Sequence, residues 1–504
     1  MINNKYLKYL FQNKKIAWIF FLVMYMAVSL SPFITYSSGT YQFSLRCSFI
    51  LSILMTFVLP IFLFSFVHRK RSCDLYFSLP VKRKELLCTT IVFSFFIIFG
   101  YYLITTCIST ILCFSRMHIL FGNLLINIVF VAFSILVLLL INSTIYLFAN
   151  NILDGVIMLL AYLFIPVAVV CLLDTICNIL LISFVDEINL WTYLCPASMT
   201  INNGFYLMCN VVKSTDYAMS YIEPFSFFQM FLLVIYACVS MYLLKKHFIE
   251  RKTERAEQIS DTFLSYPFII NYYLLISLFY LGFTITHEGL SDVYIIAYLF
   301  LYFVYIIALF IYKRKIRFYW KNTLYYIIVM IVALVSGKVI YMNKGFGLPY
   351  TYPLFSGDTV IYSLNEYNLD TSLENVNDYD ADTDVTVNII FSIPTSELND
   401  SQYSSAISIL EKTRTSAINE WFKTSDVESY NYSTTSINIS NQQNKSTIKQ
   451  SPTYYTSHVL SIEDLKELDS CSTITINVYS YENNINKDYS LTDYLKEVQN
   501  NDFE

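Results

Sequence analysis

The sequence predicts an all-α polytopic membrane protein with about nine transmembrane helices and a C-terminal soluble α+β domain. Three observations lead to this fold class. Of the 504 residues, 56% are hydrophobic and 14% are charged, and the mean hydropathy is +0.50, which is too apolar for a soluble protein of this length. Apolar runs of bilayer-spanning length recur through the first two thirds of the chain. Beyond residue 342 the chain becomes polar and acidic.

Nine apolar runs approach or exceed the ~20 residues that a membrane-spanning helix requires. They lie at 16–36, 47–67, 87–113, 124–149, 156–182, 229–245, 267–287, 292–312 and 323–341. The fourth and fifth runs are separated only by the short connection NNILDG. The first run has span length and no clear small-residue cleavage site after it, so we expect an uncleaved signal anchor.

The distribution of Lys and Arg predicts the orientation, because basic residues near span ends mark the cytoplasmic side. Four basic segments alternate with loops that are poor in basic residues. They are KYLKYLFQNKK before the first run, HRKRSC and KRK after the second, KKHFIERKTER after the sixth, and KRKIRFYWK after the eighth. Nine spans with a cytoplasmic N-terminus place all four inside and the C-terminal region outside. A count that differs by one span would move that region inside.

The C-terminal region, residues 342–504, has 9 basic and 24 acidic residues and a net charge of −15, whereas residues 1–341 have a net charge of +10. DVTVNIIFSIP (384–394) and STITINVYS (472–480) alternate as strands do. Four apolar residues between them share one helical face: Ile407, Leu410, Ile418 and Trp421. These features predict an acidic extracytoplasmic α+β domain.

Two further stretches of this region, SIEDLKELD and SLTDYLKEV, each begin with a Ser that suits a helix N-cap. The Asn- and Ser-rich stretch 431–450 predicts a polar loop. Asp378, Asp380, Asp382 and Asp384 alternate like the first ligands of a calcium loop, but Thr383 and Ile389 replace the Gly and Glu that an EF-hand requires. We therefore expect a solvated acidic turn there and no metal site.

The segment SFVHRKRSCDLYFSLPVKRKELLC (65–88) separates the second and third runs. Its six basic side chains are explained by a cytoplasmic location alone. A cytoplasmic location does not explain its apolar residues, since they would be exposed in a bare loop. They are better placed at the membrane interface or in a partner's groove. They are Leu75, Tyr76, Phe77, Leu79 and Val81. Ser78 and Pro80 predict a helix start, so a short helix at 70–77 should end just before it.

The sequence SLPVKRKELL followed by a membrane span resembles the type-2 permeases of ABC transporters. FIERKTERAEQ (248–258) is similar to that family's basic, Glu-containing tract, with Glu257 where the tract often has Gly. The amphipathic NNKYLKYLFQNKK resembles the family's interfacial N-terminal helix, and 183–228 corresponds to a loop with short re-entrant segments. The resemblance covers about residues 1–260.

The resemblance implies an interfacial helix at 1–15 and a six-span permease core at 16–250. It does not extend to the three further transmembrane helices at 251–341 or to the tail. It also implies that the 68–86 loop docks on a separate ATPase chain and that a second permease subunit completes a homodimer or heterodimer. The candidate docking residues are Arg71, Asp74, Leu75, Phe77, Leu79, Pro80 and Arg83, with Glu250, Arg251, Lys252 and Glu254 in the second cytoplasmic loop.

The chain has no signature of an enzyme. No GxxxxGK[ST] motif is present, since SGKV at 336–339 lacks the required spacing, and no HExxH or GxSxG occurs. We therefore expect no catalytic site, cofactor or nucleic-acid partner, and an energy source in another chain. Asp174 is a candidate for the translocation path, because ionisable residues within spans are costly and often functional.

These inferences predict the permease subunit of an ABC exporter in the bacterial cell membrane, with the lipid bilayer, an ATPase and a second permease as partners. Richness in Ile, Lys, Asn and Tyr favours a bacterial source. The alternative is a membrane-anchored sensor or accessory protein whose outer C-terminal domain binds a peptide, an ion or an envelope component.

Overall fold

The computed structural model describes most of residues 3–350 and parts of the C-terminal region. The described ranges are 3–34, 40–114, 118–180, 191–212, 225–260, 263–313, 315–317, 319–350, 359–366, 385–394, 435–441, 453–456, 473–480 and 485–490, with isolated positions between 404 and 422 and at 492–493.

The described part of the first 350 residues is mainly helical. The helices are α1 Asn4–Asn13, α2 Lys15–Leu30, α3 Thr40–Leu63, α4 Lys70–Phe77, α5 Arg83–Cys113, α6 Phe121–Phe148, α7 Ile152–Leu180, α8 Trp191–Leu194, α9 Pro196–Cys209, α10 Phe227–Glu250, α11 Tyr266–Glu288, α12 Asp292–Lys313 and α13 Trp320–Met342. Within the described residues, nine helices are long and apolar enough to cross a membrane. This confirms the predicted number of spans and shows a multi-pass membrane protein.

The fourth and fifth spans are separate helices, as predicted. α6 ends at Phe148 and α7 begins at Ile152, so a turn of three residues joins them. The Ala149 N–H bonds back to the carbonyl of Tyr146, and the side chain of Asp154 accepts a hydrogen bond from Tyr266 at 2.9 Å.

One compact unit comprises Met1–Val170, Asn189–Leu274 and Tyr305–Ile316. Its centre contains α3, whose buried polar face bonds to three neighbouring helices. Ser44 Oγ is 2.8 Å from Ser109 Oγ of α5, and Ser52 Oγ is 2.7 Å from Tyr25 Oη of α2. Asn142 of α6 donates to Thr56 Oγ1 at 3.0 Å. Small polar residues let membrane helices approach closely and hydrogen-bond to one another.

A second unit comprises Cys171–Ile188, Leu275–Val304 and Arg317–Glu504. In it, α11 and α13 pack through glycines. A Cβ on Gly282 would be 2.9 Å from the backbone carbon of Ala333, and a Cβ on Gly337 would be 2.6 Å from Thr286 Oγ1. The absence of a side chain at these two positions permits the close approach of the helices.

Helical residues of the tail contact the ends of α11 and α13 within this unit. Tyr341 Oη donates to the carbonyl of Trp421 at 2.9 Å, and the Trp421 ring lies 4.6 Å from the ring of His287. Lys344 Nζ donates to Asn419 Oδ1 at 2.6 Å. The described residues between 404 and 421 are helical. Ile418 is buried, which agrees with its predicted apolar face.

Six strands follow α13 in the described residues: β1 Thr359–Glu366, β2 Val385–Pro394, β3 Thr435–Asn441, β4 Thr453–Thr456, β5 Thr473–Ser480 and β6 Ile485–Ser490. They pair antiparallel in the order β4-β3-β1-β2-β5-β6. Val360 pairs with Ile393 of β2 and with Asn441 of β3. β2 and β5 occupy the two stretches that the sequence predicts as strands.

The predicted polar loop at 431–450 is wrong where β3 forms. Thr435, Ile437 and Ile439 alternate along it, and β-branched residues favour an extended chain even within a polar stretch. The predicted cap of SLTDYLKEV is present, since Ser490 Oγ accepts a hydrogen bond from the Asp493 N–H at 3.2 Å. SIEDLKELD, the acidic turn at 378–384, Ile407 and Leu410 lie outside the described residues.

Candidate functional site

The apolar segment between the second and third spans forms the predicted short helix. α4 runs from Lys70 to Phe77. Its inner side is packed, with Cys73 buried and Tyr76 and Phe77 half-buried. Its outer side has Asp74 exposed and Leu75 64% exposed. The helix therefore presents an uncovered leucine beside a carboxylate.

The predicted helix start at Ser78 and Pro80 is wrong. Ser78 ends α4, with its hydroxyl donating to the carbonyl of Leu75 at 2.9 Å, and α5 begins only at Arg83. The Val81 N–H bonds to the Leu79 carbonyl at 2.7 Å, which closes a tight turn around Pro80. Pro80 therefore serves as a turn residue, a role for which its fixed φ also suits it.

Arg83 links this segment to the second basic loop. Its Nη1 atom donates to the carbonyls of Ile249 at 2.8 Å and Arg251 at 2.9 Å. The guanidinium also lies 4.2 Å from the centroid of the Phe77 ring, and that ring packs edge-on against Phe248 at 5.8 Å. Arg83 and Phe77 thus have internal contacts that join α4 to the end of α10.

Arg251, predicted in the second loop, is buried with 7% exposure. Its Nη1 donates to the Leu147 carbonyl at 2.9 Å, and its Nη2 lies 3.4 Å from His68 Nδ1. Because a guanidinium only donates, Nδ1 must accept and His68 must be neutral. The His68 ring also packs edge-on against Tyr146 at 4.5 Å.

Burial sets the protonation of this pair. It lowers the pKa of His68 to about 3, and the neighbouring charge of Arg251 acts in the same direction. Burial also lowers the pKa of Arg251 to about 10, which leaves the guanidinium charged at neutral pH. The two side chains therefore form one cation and one neutral acceptor.

The turn between α6 and α7 completes the junction. Asn150 Nδ2 donates to the Ile259 carbonyl at 3.3 Å, and Ser260 Oγ donates to the Phe148 carbonyl at 2.5 Å. The Glu257 N–H bonds to the Asn150 carbonyl at 2.9 Å. We call these three meeting segments, 64–83, 147–151 and 249–260, the loop junction.

α1 packs against the loop junction as an amphipathic helix. Tyr6 is buried and its ring contacts that of Tyr76 at 6.4 Å, while Tyr9 Oη is 3.5 Å from Tyr76 Oη. Burial raises the pKa of Tyr6 to about 12, so its hydroxyl keeps its proton. Asn3 Oδ1 accepts from the Tyr6 N–H at 3.1 Å and caps the helix. The sequence therefore predicted the amphipathic character of α1 correctly.

The loop junction exposes one mixed surface, which we call the α4 face. It consists of Arg71, Asp74, Leu75, Leu79 and Pro80. Of the second-loop candidates, Glu250, Lys252 and Glu254 are exposed as well. An exposed apolar centre flanked by both signs of charge suits contact with a folded protein partner.

His68, Asn150 and Glu257 were not among the candidate residues that the sequence suggested. The nearest signals were the position of His68 beside a basic run and the Glu in place of Gly at position 257. The roles of His68 and Asn150 depend on contacts with residues more than 100 positions away in the sequence. Such contacts leave no local periodicity in the sequence.

Asp174 is half-buried on α7 and belongs to the other compact unit, so it is not among the residues that the loop junction brings together. In the part of the chain that the structure describes, no group of three His, Cys, Asp or Glu residues is arranged to hold a metal ion. No protein-family model, curated protein or solved structure matches the chain.

Proposed function

We propose that the chain is the permease subunit of a bacterial ABC exporter and that a separate ATPase chain docks on the α4 face. The observation that supports this most directly is the two-sided character of α4. Its inner residues are packed on Phe248 and Phe66, whereas Leu75 remains 64% exposed. An apolar side chain displayed on a fixed helix is favourable when a partner covers it.

The contacts of Arg83 provide a route for motion. If the ATPase displaces α4 when it binds ATP, the two hydrogen bonds from Arg83 transmit that displacement to the end of α10. Phe77 adds a packed contact along the same route. ATP hydrolysis stays in the partner, and this chain converts the displacement into altered access across the membrane.

The proposed orientation follows from the distribution of charge, and the second permease subunit follows from the resemblance to type-2 permeases. The basic loops face the cytoplasm, and the C-terminal α+β domain lies outside the cell membrane. A second permease subunit, identical or similar, forms the translocation path together with this one. In this arrangement Arg83, Phe77 and Arg251 serve internal contacts. The candidate docking residues are therefore reduced to the α4 face together with Glu250, Lys252 and Glu254.

The test compares capture of an ATPase by variants of the full chain. Leu75→Asp should reduce capture of a Walker-containing ATPase by about tenfold or more, since burying a new charge in an interface costs at least ~2 kcal/mol. Ile316→Asp is the matched control, because Ile316 is 92% exposed in another predicted cytoplasmic loop. Equal capture by Leu75→Asp and the unsubstituted chain would contradict the docking role.

The sensor alternative is favoured by one observation, the contact of the tail with α11 and α13 through Trp421. A ligand of the outer domain would then act on these two helices. Deletion of residues 345–504 distinguishes between a sensor and a permease. It should abolish the activity of a sensor, whereas a permease should retain its ATPase.

A further inference from the structure

The residues of α4 itself do not stabilise the N-terminus of this helix. Arg69 at the N-cap position makes no side-chain hydrogen bond to the helix, and the first turn contains no acidic residue. Instead, Lys70 and Arg71 place two positive charges at the positive end of the helix dipole. A helix of eight residues has few hydrogen bonds with which to offset this.

Glu257, from the distant second loop, supplies the missing group. Its Oε1 accepts a hydrogen bond from the Lys70 N–H at 3.3 Å. The carboxylate thereby satisfies a free amide of the first turn and brings a negative charge to the positive end of α4. The two residues are 187 positions apart in the sequence.

The backbone of Glu257 is strained in the position from which it reaches α4. Its φ of 65° lies in the left-handed region, which residues with a Cβ rarely adopt and glycine adopts freely. Its own N–H is bound to the Asn150 carbonyl at 2.9 Å. Strain of this kind persists where surrounding contacts hold the residue.

We propose that Glu257 is a positioning residue that fixes α4 to the turn between α6 and α7. We call Glu257 with its two partners, the Lys70 N–H and the Asn150 carbonyl, the Glu257 clasp. Through this clasp Glu257 connects two segments: its side chain bonds to α4, and its backbone N–H bonds to the turn between α6 and α7. The consequence for ATPase docking rests on the proposed function above, whereas the clasp itself does not.

Hydrogen–deuterium exchange of the full chain in lipid nanodiscs tests the clasp. Glu257→Gly should speed exchange of the amides in 70–77 by about twofold to fivefold, because the cap and its charge are lost. The same substitution relieves the left-handed strain, so the thermal stability of the chain should stay equal or rise. A purely structural role for Glu257 would instead lower stability together with the protection of α4.

Two variants complete the test. Glu257→Gln keeps a side-chain oxygen and the chain length, so it should restore part of the protection of 70–77. Glu254→Gly is the matched control, since Glu254 is exposed on the same segment, and it should leave α4 unchanged. Unchanged exchange of 70–77 in both Glu257 variants, or an equal increase in the control, would overturn the clasp.

The exchange result for α4 does not depend on whether the proposed function is correct. If the unsubstituted chain captures no ATPase, the docking role is wrong and the exchange result still decides the clasp. If it captures the ATPase but α4 exchange does not respond to Glu257, the clasp is wrong and docking stands.

Discussion

The guanidinium of Arg83 donates a hydrogen bond to the main-chain oxygen of Arg251 at 2.9 Å, across 168 residues of sequence. This bond connects the first residue of α5 to the residue that follows α10. It joins two basic segments, each of which the sequence predicts to be cytoplasmic. The loop junction is therefore one folded element, and the α4 face is presented on it rather than on a free loop.

Arg83→Lys should lower the free energy of unfolding by about 1–3 kcal/mol, because a lysine ammonium cannot reproduce both hydrogen bonds of Nη1 together with the flat contact on Phe77. Chemical unfolding in detergent measures the difference. Lys84→Gln is the control, since Lys84 is exposed beside Arg83. Equal loss in the two variants would show that the Arg83 contacts contribute nothing specific.

Stability should fall as the pH falls below 6.5, in a way that depends on His68. The pKa of His68 is lowered from 6.5 to about 3 in the folded chain, so the unfolded chain binds the additional proton between these values. The contribution is therefore complete above pH 6.5 and is lost progressively toward pH 3. Between pH 6.5 and 5 the loss should be about 2 kcal/mol.

The measurement for this prediction is the apparent Tm of the chain in detergent from pH 8 to pH 5. His68→Gln removes the titrating group, so the variant should lose less stability over this range than the unsubstituted chain. Carboxylates titrate in both proteins and cancel in the difference. Parallel curves for the two proteins would contradict a neutral, buried His68.

Gly282→Ala should destabilise the packing of α11 and α13 by about 1–3 kcal/mol, because the new Cβ would meet the backbone carbon of Ala333 at 2.9 Å and force the helices apart. Unfolding in mixed micelles reports the change. At Gly100 a Cβ meets nothing within 4 Å, so Gly100→Ala should be neutral or stabilising. A neutral Gly282→Ala would show that the two helices do not pack this closely.

The nine spans and the basic loops predict that Glu504 is extracytoplasmic. A reporter fused after Glu504 that is active only outside the cytoplasm should give a signal, and a reporter active only in the cytoplasm should give none. Fusion after Lys252 provides the opposite control, because this loop is predicted to be cytoplasmic. Cytoplasmic activity after Glu504 would contradict both the outer location of the tail and the assigned orientation.

The span count and α4 could be predicted from the sequence, because both depend on local hydropathy and on breaks such as Ser78. The start of α5 could not, since Pro80 suits a turn as well as a first helical turn. The burial of Arg251 could not be predicted from the sequence, because it depends on Leu147 and His68, which approach Arg251 only in the folded chain. β3 could not be predicted either, because its alternating β-branched residues lie within an Asn- and Ser-rich stretch whose composition is typical of a loop.

We propose that an ATPase covers Leu75, which is 64% exposed on α4. A direct test places a photo-crosslinking amino acid at position 75 and activates it in cells that also express a candidate Walker-containing ATPase, with position 316 as the control. Docking on the α4 face predicts an adduct with a Walker-containing ATPase at position 75 and none at position 316. Adducts with lipid alone at position 75, or equal ATPase adducts at both positions, would contradict it.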